Sequence, residues 1–427
     1  MTDMHHMELL STIRLGAPIG GGEGVAMHVG ANGERTLFVA SERAPGDFAA
    51  VDVTDPRNPR IVYRRDLPGV DIRSNNLSIV DDLLAVTRQS REPGAAPAGV
   101  EFFDISRPSE PRSAGFFDAS GGRSLGTHFV WLAGDGYAYL ASGAPDYAPR
   151  DPRDRFVLRI IDIADMTRAV EVGRWRLPGL SDGDADDPPE RPADRLAASS
   201  GRSITEAERA QRQFTIDGVS SWDFGFRVHN ISVLPEQPDR AYVAVTSGGG
   251  FVLDISDRSE PSVISHLDYA VPLPCAAHSF VPLGATGFGL LSDETLEDGA
   301  ADFPQNVWVT DLRVPSRAAI VGSLELPWPA EVPAVGRFGA HNLHEYPTGQ
   351  GALRSFDLAA TALFGLGVVV YDVSDPHRPD AVAHFSYDPD EDGQCKGQMN
   401  DVFVDDRGVL YAVDRQSDHC FALELQL

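Results

Sequence analysis

The sequence predicts an all-β protein, a seven-bladed β-propeller of four-stranded antiparallel blades. Three observations carry this reading. First, one phrase recurs. Val51-Asp52-Val53-Thr54-Asp55-Pro56 returns as Phe103-Asp104-Ile105-Ser106, Ile161-Asp162-Ile163-Ala164-Asp165, Leu253-Asp254-Ile255-Ser256-Asp257, Thr310-Asp311-Leu312 and Tyr371-Asp372-Val373-Ser374-Asp375-Pro376. A phrase that returns about every 50 residues marks a repeat architecture. Second, each repeat divides into four short runs of alternating apolar and polar residues separated by turn residues, and four antiparallel strands per repeat make a propeller blade. Third, the last repeat lacks a fourth strand, and the N-terminus has one to spare.

The elements follow in order. First strands open near Gly24, Asn75, His128, His229, His278, His341 and Asn400. Second strands are rich in aromatic and small residues, as in Tyr137-Ala138-Tyr139-Leu140-Ala141 and Ala241-Tyr242-Val243-Ala244-Val245. The third strand carries the phrase, and its Asp-Pro type turn leads into a fourth, such as Ala319 to Leu326. The last repeat supplies a second strand (Val409 to Val413) and a third (Phe421 to Leu425). The stretch Leu9 to Leu15 reads as its fourth, so the N-terminus completes the last blade and removes the exposed sheet edges. The propeller then spans residues 7–427, with 1–6 as a disordered N-terminus.

The interval between Asp162 and Asp254 is far longer than that between Asp104 and Asp162. The excess, 181–221, is rich in Asp, Pro and Ser. It is expected to be a lid-like insertion between blades three and four. Within it, Thr205-Glu206-Ala207-Glu208 has the pattern of a capping box opening a short helix over 205–213.

Composition bounds the partners. The net charge is −27, and 42% of residues are hydrophobic. A core of useful size is possible, while nucleic acid and anionic membranes are poor partners for such an acidic chain. The three cysteines, Cys275, Cys395 and Cys420, are far apart and form neither a disulfide framework nor a zinc knuckle. The N-terminus lacks the pattern of a signal peptide. The longest apolar run, Leu358 to Tyr371, is broken by Gly365 and Gly367 and is too short to span a bilayer. A soluble, cytoplasmic protein is expected.

The Asp-[Ile/Val]-Ser-Asp-Pro phrase and the aromatic-Ala-Tyr-Val-Ala second strand resemble the LVIVD-repeat β-propeller family over most of the chain. The phrase is also similar to that of selenium-binding proteins and methanethiol oxidases, and His341-Asn342-Leu343-His344 resembles their histidine pairs. That second resemblance implies a propeller with histidine-bound metal, of which copper is the implicated ion.

The repeats, aligned on their first strands, place Glu23, Asn75, His128, His229, His278, His341 and Asn400 at one height around the central channel. Histidine occurs only 12 times in the chain, yet four successive blades offer it in one register. This pattern suits a divalent transition metal such as Fe, Cu, Mn or Zn, held by neutral imidazoles from His128, His229, His278 and His341. The alternative use of such a ring is to bridge ordered water. Glu23, Asn75, Asn400, Asp401 and Glu345 are expected to orient the rings from a second layer. His344, at odd spacing from His341, should face away.

The loops before these positions carry Arg73, Arg123, Arg227 and Arg337, joined by Trp222, Phe226 and Phe338. Such a rim suits an anionic or aromatic small-molecule substrate. Asp388, Asp390 and Asp392 match the opening of a calcium loop, but its twelfth position would be Met399 rather than Glu. Gly20 to Gly24 does not join a strand to a helix and fails the dinucleotide pattern.

The sequence therefore points to a metal-dependent enzyme, an oxidoreductase on these grounds. The alternatives are a metal-dependent lyase that abstracts a proton next to a carboxylate, and a non-catalytic interaction scaffold.

Overall fold

In the computed structural model, residues 5–67, 71–216, 219–271, 273–387 and 397–425 are described. They form seven antiparallel sheets arranged as the blades of one ring. Blade one runs through Gly21–Val29, Arg35–Ser41, Gly46–Asp52 and Arg60–Asp66, each strand pairing with the next. Blades three, four and five repeat this order from Thr127–Leu132, Val228–Ser232 and Ala277–Pro282 respectively. Blade two begins with two short pieces, Ile72–Arg73 and Leu77–Val80, both paired to Leu83–Ser90.

The repeated phrase has one physical job. Asp52, Asp104, Asp162, Asp254, Asp311 and Asp372 each end a third strand. Each carboxylate accepts the backbone N–H two residues on, at 2.9 to 3.0 Å. This Asx turn fixes the chain's exit from the strand. The second aspartate does the same one turn later, from Asp55, Asp165, Asp257 and Asp375 to the N–H of Arg57, Thr167, Ser259 and His377.

Ring closure follows the sequence expectation. Glu8–Arg14 pairs antiparallel with His419–Glu424 and completes the blade begun by Met399–Val404 and Val409–Asp414. The first residues differ from expectation: 1–6 were assigned to a disordered end, but the backbone of His5–His6 lies parallel to Ala383 and His384 as an added outer strand on blade six. The innermost segment of that blade, from His341, meets its neighbour through a single bridge, Leu343 to Thr361.

The core consists of layers between successive blades. Phe129, Trp131, Ile160 and Trp175 of blade three pack on Ile231, Val243 and Phe251 of blade four. Trp131 Nε1–H donates to the Val233 carbonyl across that seam at 2.9 Å. A similar layer joins blades five and six, and another joins blades seven and one. Burial of these apolar faces is the main favourable term, at roughly 25 cal/mol per Å².

The 181–221 insertion has its own small core. Helix Pro192–Ser199 packs Ala193, Leu196 and Ala197 on Phe214 and Ile216 of the strand Gln213–Ile216, which forms a hairpin with Val219–Trp222. The expected helix over 205–213 is shorter, Glu206–Arg209; its Thr205/Glu208 capping box is formed. The helix stops at Arg209, and the hairpin takes up the backbone from Gln213 on. The longer helix went unread because Arg191-Pro192 opens it without a side-chain cap; proline at the first turn does that work. Arg191 anchors the insertion: its guanidinium donates to Asp154 at 2.8 and 3.0 Å and to Asp223 at 2.8 Å. Among the described residues, no helix is long and apolar enough to cross a membrane.

Candidate metal centre at the propeller hub

Each hub residue sits at or beside the start of its blade's first strand, and there the strand pairing slips. Register shifts fall between Gly21 and Val25, Thr127 and Phe129, Val228 and Ile231, Ala277 and Ser279, and Met399 and Asp401. A bulge leaves one residue unpaired and re-aims its side chain. Among the residues left unpaired are Glu23, His128, His229, His278 and Asn400, which turn from the sheet faces toward the axis. The glycines around Glu23 allow blade one to approach: a Cβ on Gly24 would lie 2.3 Å from the Leu77 nitrogen.

The four imidazoles stand in sequence around the axis. Ring centroids are 4.5 Å apart for His128–His229, 4.1 Å for His229–His278 and 4.4 Å for His278–His341. None is more than 6% exposed. Phe156 stacks on the outer side of His128 and Phe364 on that of His341.

With its proton on Nδ1 each ring reaches an acceptor: a backbone carbonyl requires this of His341, and the other three rings are assigned the same tautomer from their side-chain neighbours. His128 Nδ1–H donates to Gln89 Oε1 at 2.9 Å, an oxygen that also receives Arg73. His229 Nδ1–H donates to Asn230 Oδ1 at 2.9 Å, and the amide nitrogen of Asn230 donates to Glu345 and Ser279. His278 Nδ1–H donates to Ser279 Oγ at 3.0 Å, whose own proton goes to Glu345 at 2.9 Å. His341 Nδ1–H donates to the Asn400 carbonyl at 2.6 Å. A neutral imidazole carries one N–H, so these four bonds leave four Nε2 lone pairs facing inward.

Two carboxylates face the same point. Glu23 Oε2 lies 3.6 Å from His128 Nε2 and 3.8 Å from His278 Nε2, and its Oε1 lies 3.7 Å from His341 Nε2. Glu294 approaches His229 Nε2 at 3.8 Å and His341 Nε2 at 3.9 Å. The ligand atoms of Glu23, His229 and His278 lie within 4.8 Å of one another, as do those of His278, Glu294 and His341. Burial first, and then cationic neighbours, hold His229 near 3 and push His128 and His278 below the ordinary histidine value. Burial pulls Glu294 up, but the Arg337 guanidinium at 2.8 Å, together with His341, His278 and His229, brings it down to about 2. Neutral imidazoles beside an ionised carboxylate are a ligand set in its binding form.

The donor chemistry fits a transition ion. His278 Nε2 and His341 Nε2 are buried with no hydrogen-bond partner, and a cation is what such converging lone pairs and carboxylates would take.

The predicted supporting residues divide. Glu345 orients two rings through Asn230 and Ser279. Asn75 donates to Glu23 Oε2 at 2.9 Å and lies 3.3 Å from His128 Nδ1. Asn400 acts through its backbone carbonyl, because its amide is spent on Gly21 and Gly22. Asp401 orients no ring; it turns into the channel beneath the hub, where Glu23, Glu345, Asn76 and Ser78 also line a cavity. Glu23 was placed in the second layer and instead faces the Nε2 atoms directly. His344 faces away as expected, donating to the Leu353 carbonyl.

The rim also divides. Arg73 lies over the hub, bound to Glu42 at 2.6 Å and to Gln89. Arg337 binds Glu294, and Arg227 lies at the mouth beside His229. Arg123 does not reach the hub: it is 62% exposed and 3.4 Å from Asp182. Trp222, Phe226 and Phe338 are buried packing residues. Trp222 stacks on Phe224, Phe226 joins the seam of blades three and four, and Phe338 that of blades five and six. Large rings beside a deep seam are better buried there than held at a wet rim. Asp388, Asp390 and Asp392 lie outside the described residues.

Sequence reasoning missed Glu294, Gln89, Asn230, Ser279, Arg155 and Arg415. Some signal was there. Glu42, Glu294 and Arg415 each directly follow a second strand, and Asn230 and Ser279 each directly follow a hub histidine.

Fold and hub together define a β-propeller with a buried histidine–carboxylate cluster on its axis. Residues 239–268 match the LVIVD repeat. No curated protein sequence matches the chain. Solved structures share the fold. A protein from Lactobacillus plantarum is 12% identical, with TM-score 0.53 over 89% of this chain and 92% of that one. The β-propeller domain of Cps50 (Swd1) from Myceliophteria thermophila is 12% identical, with TM-score 0.52 over 98% and 100%. U3-55K is 11% identical, with TM-score 0.55 over 98% of each chain. At these identities the likeness is one of fold alone.

Proposed function

We propose that the protein is a metal-dependent enzyme. His128, His229, His278 and His341 would hold a divalent transition ion, with Glu23 and Glu294 as further ligands or as counter-charges. The observation that carries this reading is the gathering of ligand atoms on the axis: those of Glu23, His229 and His278, and those of His278, Glu294 and His341, lie within 4.8 Å of one another, and His128 Nε2 lies 3.1 Å from His229 Nε2. The mixed imidazole and carboxylate set suits iron, manganese or zinc better than copper.

The substrate is a small anionic organic molecule entering past Arg73, Arg227 and Arg337, and the reaction is an oxidoreduction. When bound, such an ion supplies Lewis acidity or one-electron chemistry. The chain's own residues do the rest. Arg227 binds the anion while Arg73 and Arg337, held by Glu42 and Glu294, shape its entry; the buried hub excludes water, and Ser279 links the His278 side of the hub to Glu345. Glu345 is placed to hold a proton, because burial first, and then the Glu23 charge, push its carboxyl up to about 7. The imidazole-rich ligand set supports the redox reading. The guanidinium-rich mouth supports a second one, a lyase in which the ion and arginines share a substrate carboxylate while a hub base removes the adjacent proton. We place the protein in the cytoplasm, where the buried thiols of Cys275 and Cys420 would stay reduced.

The test is reconstitution of metal-free protein with Fe(II), Mn(II), Zn(II) or Cu(II), followed by a screen of small carboxylates and phosphate esters with and without dioxygen. Oxygen-dependent loss of substrate is the predicted result. Oxygen-independent elimination would establish the lyase instead. Tight metal binding with no turnover of any class would overturn the enzyme reading in favour of a scaffold.

A further inference from the structure

The arginines above the hub are not equivalent. Arg73 and Arg415 share Glu42, at 2.6 and 3.0 Å, and Arg337 binds Glu294. Arg155 and Arg227 have no such partner. Segments 154–156 and 226–228 run side by side. They are tied by the Phe226 N–H to Asp154 at 2.7 Å and the Val228 N–H to the Phe156 carbonyl at 3.0 Å. Arg155 and Arg227 occupy the positions between these two bonds. The nearby acids are already engaged: Asp151 binds Arg153, Asp154 binds Arg191, and Asp223 binds both arginines. Among the described residues, neither the Arg155 nor the Arg227 side chain makes a hydrogen bond or ion pair to a protein acceptor, and the Nε atoms of both are buried and unpartnered. Arg155 lies over the Phe156 ring at 5.6 Å, and that ring stacks on His128. Burial, and then the charges of Arg227 and Arg73, lower Arg155 to about 10; burial lowers Arg227 too, against the pull of Glu294 and Glu23, which make no direct contact with it.

Unsatisfied buried donors on two adjacent cations are costly unless an anion takes them. We propose that Arg155 and Arg227 form an oxyanion site at the channel mouth, which anchors the carboxylate or phosphoryl end of the substrate on the His128–His229 side of the hub. Arg73, Arg337 and Arg415 are balanced by protein carboxylates and shape the mouth without carrying that charge. The word substrate rests on the metal-centre reading; the anion site itself does not.

The test is calorimetric titration of metal-free and metal-loaded protein with inorganic phosphate and with acetate, the metal content of the same samples being measured. One saturable site for either anion is expected; the tighter of the two tells phosphoryl from carboxylate. The R155Q/R227Q double variant should weaken binding about tenfold or more, R155K/R227K should retain most of it, and R123Q, far from the hub, should leave it unchanged. Should the double variant not fold, R155Q alone is read the same way, with about threefold loss. No saturable binding, or binding that the glutamine variants leave unchanged (an adventitious ion only), overturns the proposal. Anion binding without metal uptake leaves this site standing and refutes the metal centre; metal uptake without anion binding does the reverse.

Discussion

His128 and His229, from blades three and four, bring their Nε2 atoms to 3.1 Å. Both rings already donate from Nδ1, so this contact joins two lone pairs unless a single proton or a cation lies between them. Around the rest of the hub, the Nε2 atoms of His278 and His341 face the carboxylates of Glu23 and Glu294 at 3.7 to 3.9 Å.

This predicts an unusual proton balance for metal binding. Ligand sets that are protonated in the free protein release a proton for each group that binds. Here burial holds His229 near 3, and Arg337 with the neighbouring imidazoles holds Glu294 near 2, so there is little to release near neutral pH. Calorimetry in buffers of different ionisation enthalpy should find no more than about one proton per ion at pH 7.5. Release of three or four would mean that the imidazoles carry protons toward the hub.

Glu345 predicts a pH dependence of opposite sign to ordinary paired carboxylates. Burial first, and then the Glu23 charge, raise it to about 7 from an ordinary 4.5, and Asp401 faces it across the channel. The folded state therefore keeps a proton that the unfolded chain has lost, and stability falls as pH rises from 4.5 through 7. At about 1.4 kcal/mol per unit, the penalty at pH 8 is on the order of 3 kcal/mol. Glu345→Gln keeps the acceptor for Asn230 and Ser279 and removes the charge. Thermal unfolding of metal-free protein should show the variant gaining on wild type between pH 5 and pH 8. A difference independent of pH would contradict the account.

Ring closure predicts the effect of trimming the N-terminus. Deleting residues 1–15 removes the strand Glu8–Arg14, takes buried Met7, Ile13 and Leu15 from the core, and bares the edge of His419–Glu424. An unpaired edge strand is a template for aggregation. Light scattering should show oligomers and a lower melting temperature for the deletion. A monodisperse protein with unchanged melting would show that blade seven stands without it.

The repeat phrase made the ring legible, because one Asx turn returns at Asp52, Asp104, Asp162, Asp254, Asp311 and Asp372 and keeps the blades in register. That register alone put His128, His229, His278 and His341 at one height. What lay beyond it was set by tertiary contact. Glu294 and Gln89 reach the hub from the ends of second strands, outside the repeated phrase. Arg123 shares a sequence position with the hub arginines, but its loop turns outward to Asp182. Trp222, Phe226 and Phe338 sit in aromatic-rich loops that the blade seams bury. Arg155 carries no motif at all; it matters because Arg153 and Arg191 have taken the neighbouring aspartates.

The most direct measurement of the central claim is the metal content of purified protein by mass spectrometry, wild type against His229→Ala/His278→Ala. The account predicts near-stoichiometric iron, manganese, zinc or copper in wild type, and loss of at least nine-tenths of it in a variant whose circular dichroism is unchanged. A folded double variant that retains its metal, or a wild type that takes up none when offered these ions, would contradict it.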